Sequence, residues 1–154
     1  MLLVAASLAG LAGIGISVYL TVVHYTALPL VCTTTGAISC ERVLSSPFSV
    51  IAGSGLPTSA SGIIWFSFSA ALAAWQLAGR FSLRMVRLYL TWSAIGLATV
   101  IYLVFIEIVQ LGAICIWCSA AHALVVLTFI IALTRSIPSP VEKDGEEGGS
   151  EAAH

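Results

Sequence analysis

The chain of 154 residues holds four cysteines in two pairs: Cys32 and Cys40, separated by seven residues, and the CxxC run Cys115-Ile116-Trp117-Cys118. A CxxC at a helix start has a specific use. The first sulfur lies near the positive end of the helix dipole, which favours the thiolate, and the second sits one turn further in. At a rise of about 1.5 Å per residue, Cys118 is about 4.5 Å deeper than Cys115. One sulfur can therefore meet an outer group and the other something inside the membrane. Since the thiolate is the attacking species in disulfide exchange, the pattern fits electron transfer between dithiols. Two inert structural disulfides are the competing reading, but a CxxC bridge closes too small a loop to stabilise much and is readily reduced. A four-cysteine zinc site is weaker still, because the spacing of the first pair departs from the usual knuckle.

Composition defines the elements that must carry these sulfurs. Hydrophobic residues make up 59% and only 13 residues, or 8%, are Asp, Glu, Lys or Arg, against about a quarter in a soluble domain. Six of those 13 charges fall between Glu142 and Glu151, leaving seven for the first 141 residues. With a mean hydropathy of +1.05, the chain is excluded from the soluble enzymes, nucleic-acid binders and disordered proteins. A spanning helix needs about 20 apolar residues. Four such stretches are predicted, at Leu2 to Val23, Ser61 to Ala78, Leu88 to Glu107 and Ile114 to Leu133. The first is longer than a signal-peptide core, lacks a basic flank and has no small-residue cleavage site after it, so it reads as a helix. The missing basic flank is consistent with native residues preceding Met1.

The expected fold is an all-α integral membrane protein, a four-transmembrane-helix bundle over residues 1–135 followed by a disordered acidic tail over 136–154. Basic residues mark the cytoplasmic side of short loops. Arg80, Arg84 and Arg87 lie between the second and third helices and Arg135 follows the fourth, so both termini are expected in the cytoplasm. Segments 24–60 and 108–113 then face outward, and all four cysteines with them. An even cysteine count on an oxidising side reads as disulfide chemistry. The 37 residues of segment 24–60 carry only Glu41 and Arg42 as charges, among Pro29, Pro47, Pro57 and several glycines. Such a loop is expected to fold back as a lid in the interface, with a short helix around Glu41 to Leu44. The lid would close an apolar chamber able to hold an apolar cofactor.

The run Gly36-Ala37-Ile38-Ser39-Cys40-Glu41-Arg42-Val43-Leu44-Ser45-Ser46, the earlier Cys32 and the later Cys115-Ile116-Trp117-Cys118 resemble the vitamin K epoxide reductase family, including its bacterial homologues. The likeness runs from about Gly10 to Leu133. It implies a four-helix bundle around a quinone of the menaquinone, ubiquinone or vitamin K type. A loop pair, matched by Cys32 and Cys40, takes electrons from a thioredoxin-like partner and passes them to the quinone-proximal pair, matched by Cys115 and Cys118. Ser46 matches the serine or threonine that supports loop and site. Bacterial members support disulfide formation in secreted proteins, which implies a bacterial inner membrane. Many carry a fused thioredoxin-like domain; the chain ends too early for one, so the partner is expected as a separate chain. Vertebrate members place an asparagine at the start of the second helix and a tyrosine one turn after the CxxC. Ala60 and His122 stand nearest to those positions, which points to quinone reduction rather than epoxide reduction. The disulfide-bond oxidoreductase B type has its two cysteine pairs in the reverse order. Outside enzymes, a membrane scaffold or transporter with two structural disulfides is the alternative.

Other residues carry weaker expectations. Cys115, Cys118, Ser119 and His122 share one helix face, and an ionisable group in a span usually faces the bundle interior. His122 is therefore a candidate quinone contact or proton relay, against the alternative of a packed histidine. Trp117, between the paired cysteines, is a candidate for shaping the pocket. Glu107 falls at the outer boundary and is expected to be a solvated helix end. His24 and Tyr25 are expected to be interface anchors, and Trp65, Trp75 and Trp92 packing or lipid-facing residues.

Overall fold

A chain crossing hydrocarbon must satisfy its backbone within each segment, and the charge-poor runs do so as helices. The computed structural model describes residues 1–26, 32, 36–51, 53–79 and 82–137. Arg80 and residues 138–154 of the expected tail lie outside them. Among the described residues, four helices are long and apolar enough to cross a membrane: α1 (Leu2–Thr26), α3 (Thr58–Leu77), α4 (Leu83–Phe105) and α5 (Ile116–Ser136). The short α2 (Cys40–Leu44) lies between the first two. The protein is thus an all-α integral membrane protein.

The helix ends differ from the hydropathy reading where local hydrogen bonds set them. Ser82 caps α4, which starts at Leu83 rather than Leu88, its hydroxyl accepting the Met85 N–H at 3.3 Å. The cap brings Arg84 and Arg87 into the first turns of α4, from which long side chains can carry their charge outward. At its other end α4 does not stop at Glu107. It continues through a π-helical turn over Ile106–Leu111 and ends on Gly112, whose left-handed φ of 56° suits a residue without a side chain. The expected short turn of 108–113 is therefore mostly helix.

Round the bundle the helices neighbour one another in the order α1, α3, α4, α5, with α1 and α3 in the most extensive contact. Small residues allow that approach. A Cβ on Gly10 would stand 2.8 Å from that of Ala70, and one on Gly13 would stand 2.3 Å from the Phe66 ring. At the end away from the loop, Ala6, Leu72, Tyr89 and Ile131 form one core cluster. Nearer the loop, Phe66, Val100 and Val125 form a second, with Trp65 packed against it.

Between α1 and α3, the described residues from Gly36 to Pro57 form the expected lid. Ser39 caps α2 by accepting the Arg42 N–H, and a short 3-10 turn over Pro47–Ser49 follows. The Thr58 hydroxyl donates to the Phe48 carbonyl at 3.2 Å, fastening the lid to the start of α3. A two-bond pairing fastens it to the other side. The Ser39 N–H donates to the Ile114 carbonyl at 3.1 Å, and the Ile114 N–H to the Ala37 carbonyl at 2.9 Å.

Candidate active site

That pairing matters because Cys40 and Cys115 are the next residues after Ser39 and Ile114. It holds the chain leading into one cysteine against the chain leading into the other. Both side chains are fully buried. Cys32 and Cys40 are joined in a disulfide, while Cys115 and Cys118 are free thiols.

Cys115 is the N-cap of α5, and its sulfur accepts the backbone N–H of Cys118 at 3.4 Å. Helix N-termini leave N–H groups without intrahelical partners, and here one of them meets sulfur in place of the usual hydroxyl or carboxylate. A hydrogen bond from the Cys118 side chain pulls the Cys115 thiol below its ordinary pKa, helped by backbone N–H groups and opposed by burial and the charge of Glu107. The CxxC therefore has one sulfur biased to the thiolate and a second that stabilises it by donating.

A cavity of about 430 Å³ opens beneath the lid, between all four spanning helices. Cys118 lines it and Cys115 does not, so the two sulfurs divide between the cavity and the lid. Ser46 and His122 line it as well. The Ser46 hydroxyl donates to the Val43 carbonyl at 2.8 Å, which closes the end of α2 over the cavity. The α3 wall follows one helical face through Thr58, Ser59, Ser61, Gly62, Trp65 and Phe66. Ala60 does not line the cavity. Trp117 also stands outside the wall, its ring packing on Tyr19 of α1 with centroids 4.9 Å apart.

With Ala60 and Trp117 placed outside the wall, two further expectations are corrected. Glu107 is no solvated helix end: it is 6% exposed and lines the cavity. The π turn carries the helix past it, so the residue lies within the span and on its inner side. His24 likewise lines the cavity from α1 rather than serving only as an interface anchor. Trp65 and Trp92 are packing residues as expected, stacked at 12° with centroids 6.3 Å apart, and they also form part of the same wall. The signal for Glu107 was present in the sequence, since it is the one carboxylate inside a predicted span. Ending the helix at that residue hid it.

A dithiol at a helix start, a disulfide in the adjoining lid and an enclosed apolar cavity in a membrane bundle define a membrane thiol oxidoreductase. The model of the vitamin K epoxide reductase family matches residues 3–133, and the chain belongs to that family. No curated protein matches the chain closely enough to count as a relative.

Proposed function

We propose that the protein oxidises a thioredoxin-like partner, supplied as a separate chain, and passes the electrons to a membrane quinone, thereby supporting disulfide formation. The observation that carries this reading is the division of the CxxC, with Cys118 on the cavity and Cys115 against the lid. In the proposed cycle a partner thiolate attacks the loop disulfide at Cys32 and releases Cys40. Cys40 attacks the oxidised CxxC at Cys115 and releases Cys118. The partner's second thiolate breaks its bond to Cys32, so the partner leaves as a disulfide and Cys32 is freed. Cys32 then attacks Cys40, which restores the loop disulfide and leaves Cys115 and Cys118 as the dithiol, with two electrons transferred per round. The pairing found here, loop bridged and CxxC reduced, corresponds to the stage before quinone reduction.

The residues present fit a quinone. The cavity volume lies within the range of about 300–1,000 Å³ usual for small-molecule sites. Its wall is largely apolar, with the Ser46 hydroxyl and the His122 imidazole among few polar groups. Trp65 adds a buried indole N–H that has no hydrogen-bond partner among the described residues. Ser61, Ile64 and Thr99 both line the cavity and are exposed on the flanks of α3 and α4. A long isoprenoid chain could leave between these helices into lipid. In this reading Ser46 and His122 hold the ring, and the bound quinone supplies the two-electron acceptor. Residues 1–135 are the catalytic unit, and residues 136–154 take no part. The arginine asymmetry supports placing the lid and its cysteines outside and both termini in the cytoplasm.

An inert scaffold would hold two permanent bridges, whereas Cys115 and Cys118 are free. The test is purified protein mixed with a reduced thioredoxin-like protein and menaquinone or ubiquinone, followed by quinone absorbance. Partner-dependent quinone reduction is expected. No reduction with either quinone would refute the reading.

A further inference from the structure

Glu107 is a carboxyl group where carboxyl groups are costly. It lies in a 29-residue apolar span over Leu83–Leu111, is 6% exposed and shares the cavity with Cys118. Among the described residues, no Lys or Arg lines that cavity to neutralise it. Ionisable groups in such positions mark proton or ion pathways. Its main chain is fixed, because its carbonyl accepts the Ala113 N–H at 3.1 Å and Gly112 closes the turn behind it. The carboxyl shares the cavity wall with Cys118 and is near enough to interact electrostatically with both cysteines of the CxxC.

Resting on the quinone-reductase reading above, we propose that Glu107 is the proton carrier of the dithiol-to-quinone step. The chemistry requires one. The S–H bonds of Cys115 and Cys118 break, one S–S bond forms between them, and two electrons leave for the quinone, whose two oxygens each gain an O–H bond. Glu107 accepts the proton of the Cys118 thiol and delivers it to a quinone oxygen. It then does the same for the proton of Cys115, and ends ionised as it began. A carboxylate inside the cavity makes this transfer without admitting water. Other titratable groups facing the cavity are His24 from α1 and Cys118 and His122 from α5. The α3 wall brings only hydroxyls and an indole N–H, and Glu41 and Arg42 of α2 are exposed and do not line the cavity.

The test compares wild type with Glu107→Gln and Glu107→Asp. General acid–base groups contribute about 10²–10⁴-fold, so Glu107→Gln should lower kcat for quinone at least about a hundredfold with little change in KM. Its pH profile should lose the limb due to the carboxyl, and Glu107→Asp should recover part of the rate. Exchange between the loop pair and the CxxC, followed by mass spectrometry, should continue in Glu107→Gln. A loss smaller than about tenfold with a wild-type pH profile would overturn the proposal while leaving the quinone-reductase reading intact. A wild type that reduces no quinone would sink both. A second measurement needs no variant: time-resolved infrared spectra of the wild type during quinone reduction should show a glutamate carboxyl band that rises and decays with turnover, assigned by isotope labelling. Absence of that band would overturn the proposal whatever the variants do.

Discussion

A thiol that serves as the N-cap of a helix is biased toward the thiolate from two sides. Cys115 receives the Cys118 backbone N–H at 3.4 Å, and a hydrogen bond from the Cys118 side chain is the largest cause of its lowered pKa. Thiolate absorbance of the reduced protein, titrated against pH, should therefore show a first midpoint below the ordinary cysteine value of about 8.5. Cys118→Ala removes the largest lowering cause, so the Cys115 midpoint should move upward. Glu107→Gln removes an opposing charge, so it should move downward. A midpoint indifferent to Cys118→Ala would contradict the hydrogen-bonded pair. At this scale the sequence was informative where chemistry depends on spacing. The two cysteine pairs could be read directly, and the helix face shared by Cys118 and His122 leads to the cavity. Trp117 could not be placed that way, because adjacency to a cysteine in sequence turns a side chain about 100° round the helix. Its ring goes to Tyr19 instead.

Helices pack in membranes by close approach of small residues, since lipid is as apolar as the side chains it would replace. The α1 and α3 contact uses Gly13 in this way: a Cβ there would stand 2.3 Å from the Phe66 ring, which is 3% exposed. Gly13→Ala should destabilise the bundle by about 1–3 kcal/mol, the usual cost of overpacking. Gly15 on the same helix has nothing within 4 Å, so Gly15→Ala should be neutral or stabilise by up to about 1 kcal/mol. Denaturant titration of the purified protein in mixed micelles measures both, and equal effects would contradict the packing described. The existence of these helices was plain in the hydropathy, because each run must bury itself in lipid. Their ends were not, because a cap such as Ser82 and a π turn at Ile106–Leu111 are set by hydrogen bonds that hydropathy does not register. Glu107 was misplaced for that reason.

For the whole molecule, the lid and the bundle make one redox chamber. The pairing of Ala37 and Ser39 with Ile114 joins lid to CxxC, and the cavity beneath takes walls from every spanning helix. Arg80 ahead of α4, Arg84 and Arg87 in its first turns and Arg135 in the last turn of α5 predict which way it faces. An impermeant thiol reagent added to intact, reduced cells should label Cys32. Labelling only after the cytoplasmic face is opened would reverse the orientation. The central claim is the order of the relay, in which Cys40 exchanges with Cys115 and Cys118 alone serves the cavity. Disulfide exchange runs through mixed disulfides, so removing the resolving sulfur traps the one before it. Disulfide mapping by mass spectrometry of Cys118→Ala, purified without reductant, tests this most directly. Cys115 should attack the loop disulfide at Cys40 and release Cys32, leaving a Cys40–Cys115 bond and no quinone reduction. An intact Cys32–Cys40 bond in that variant, together with a trapped Cys40–Cys118 bond in Cys115→Ala, would contradict it.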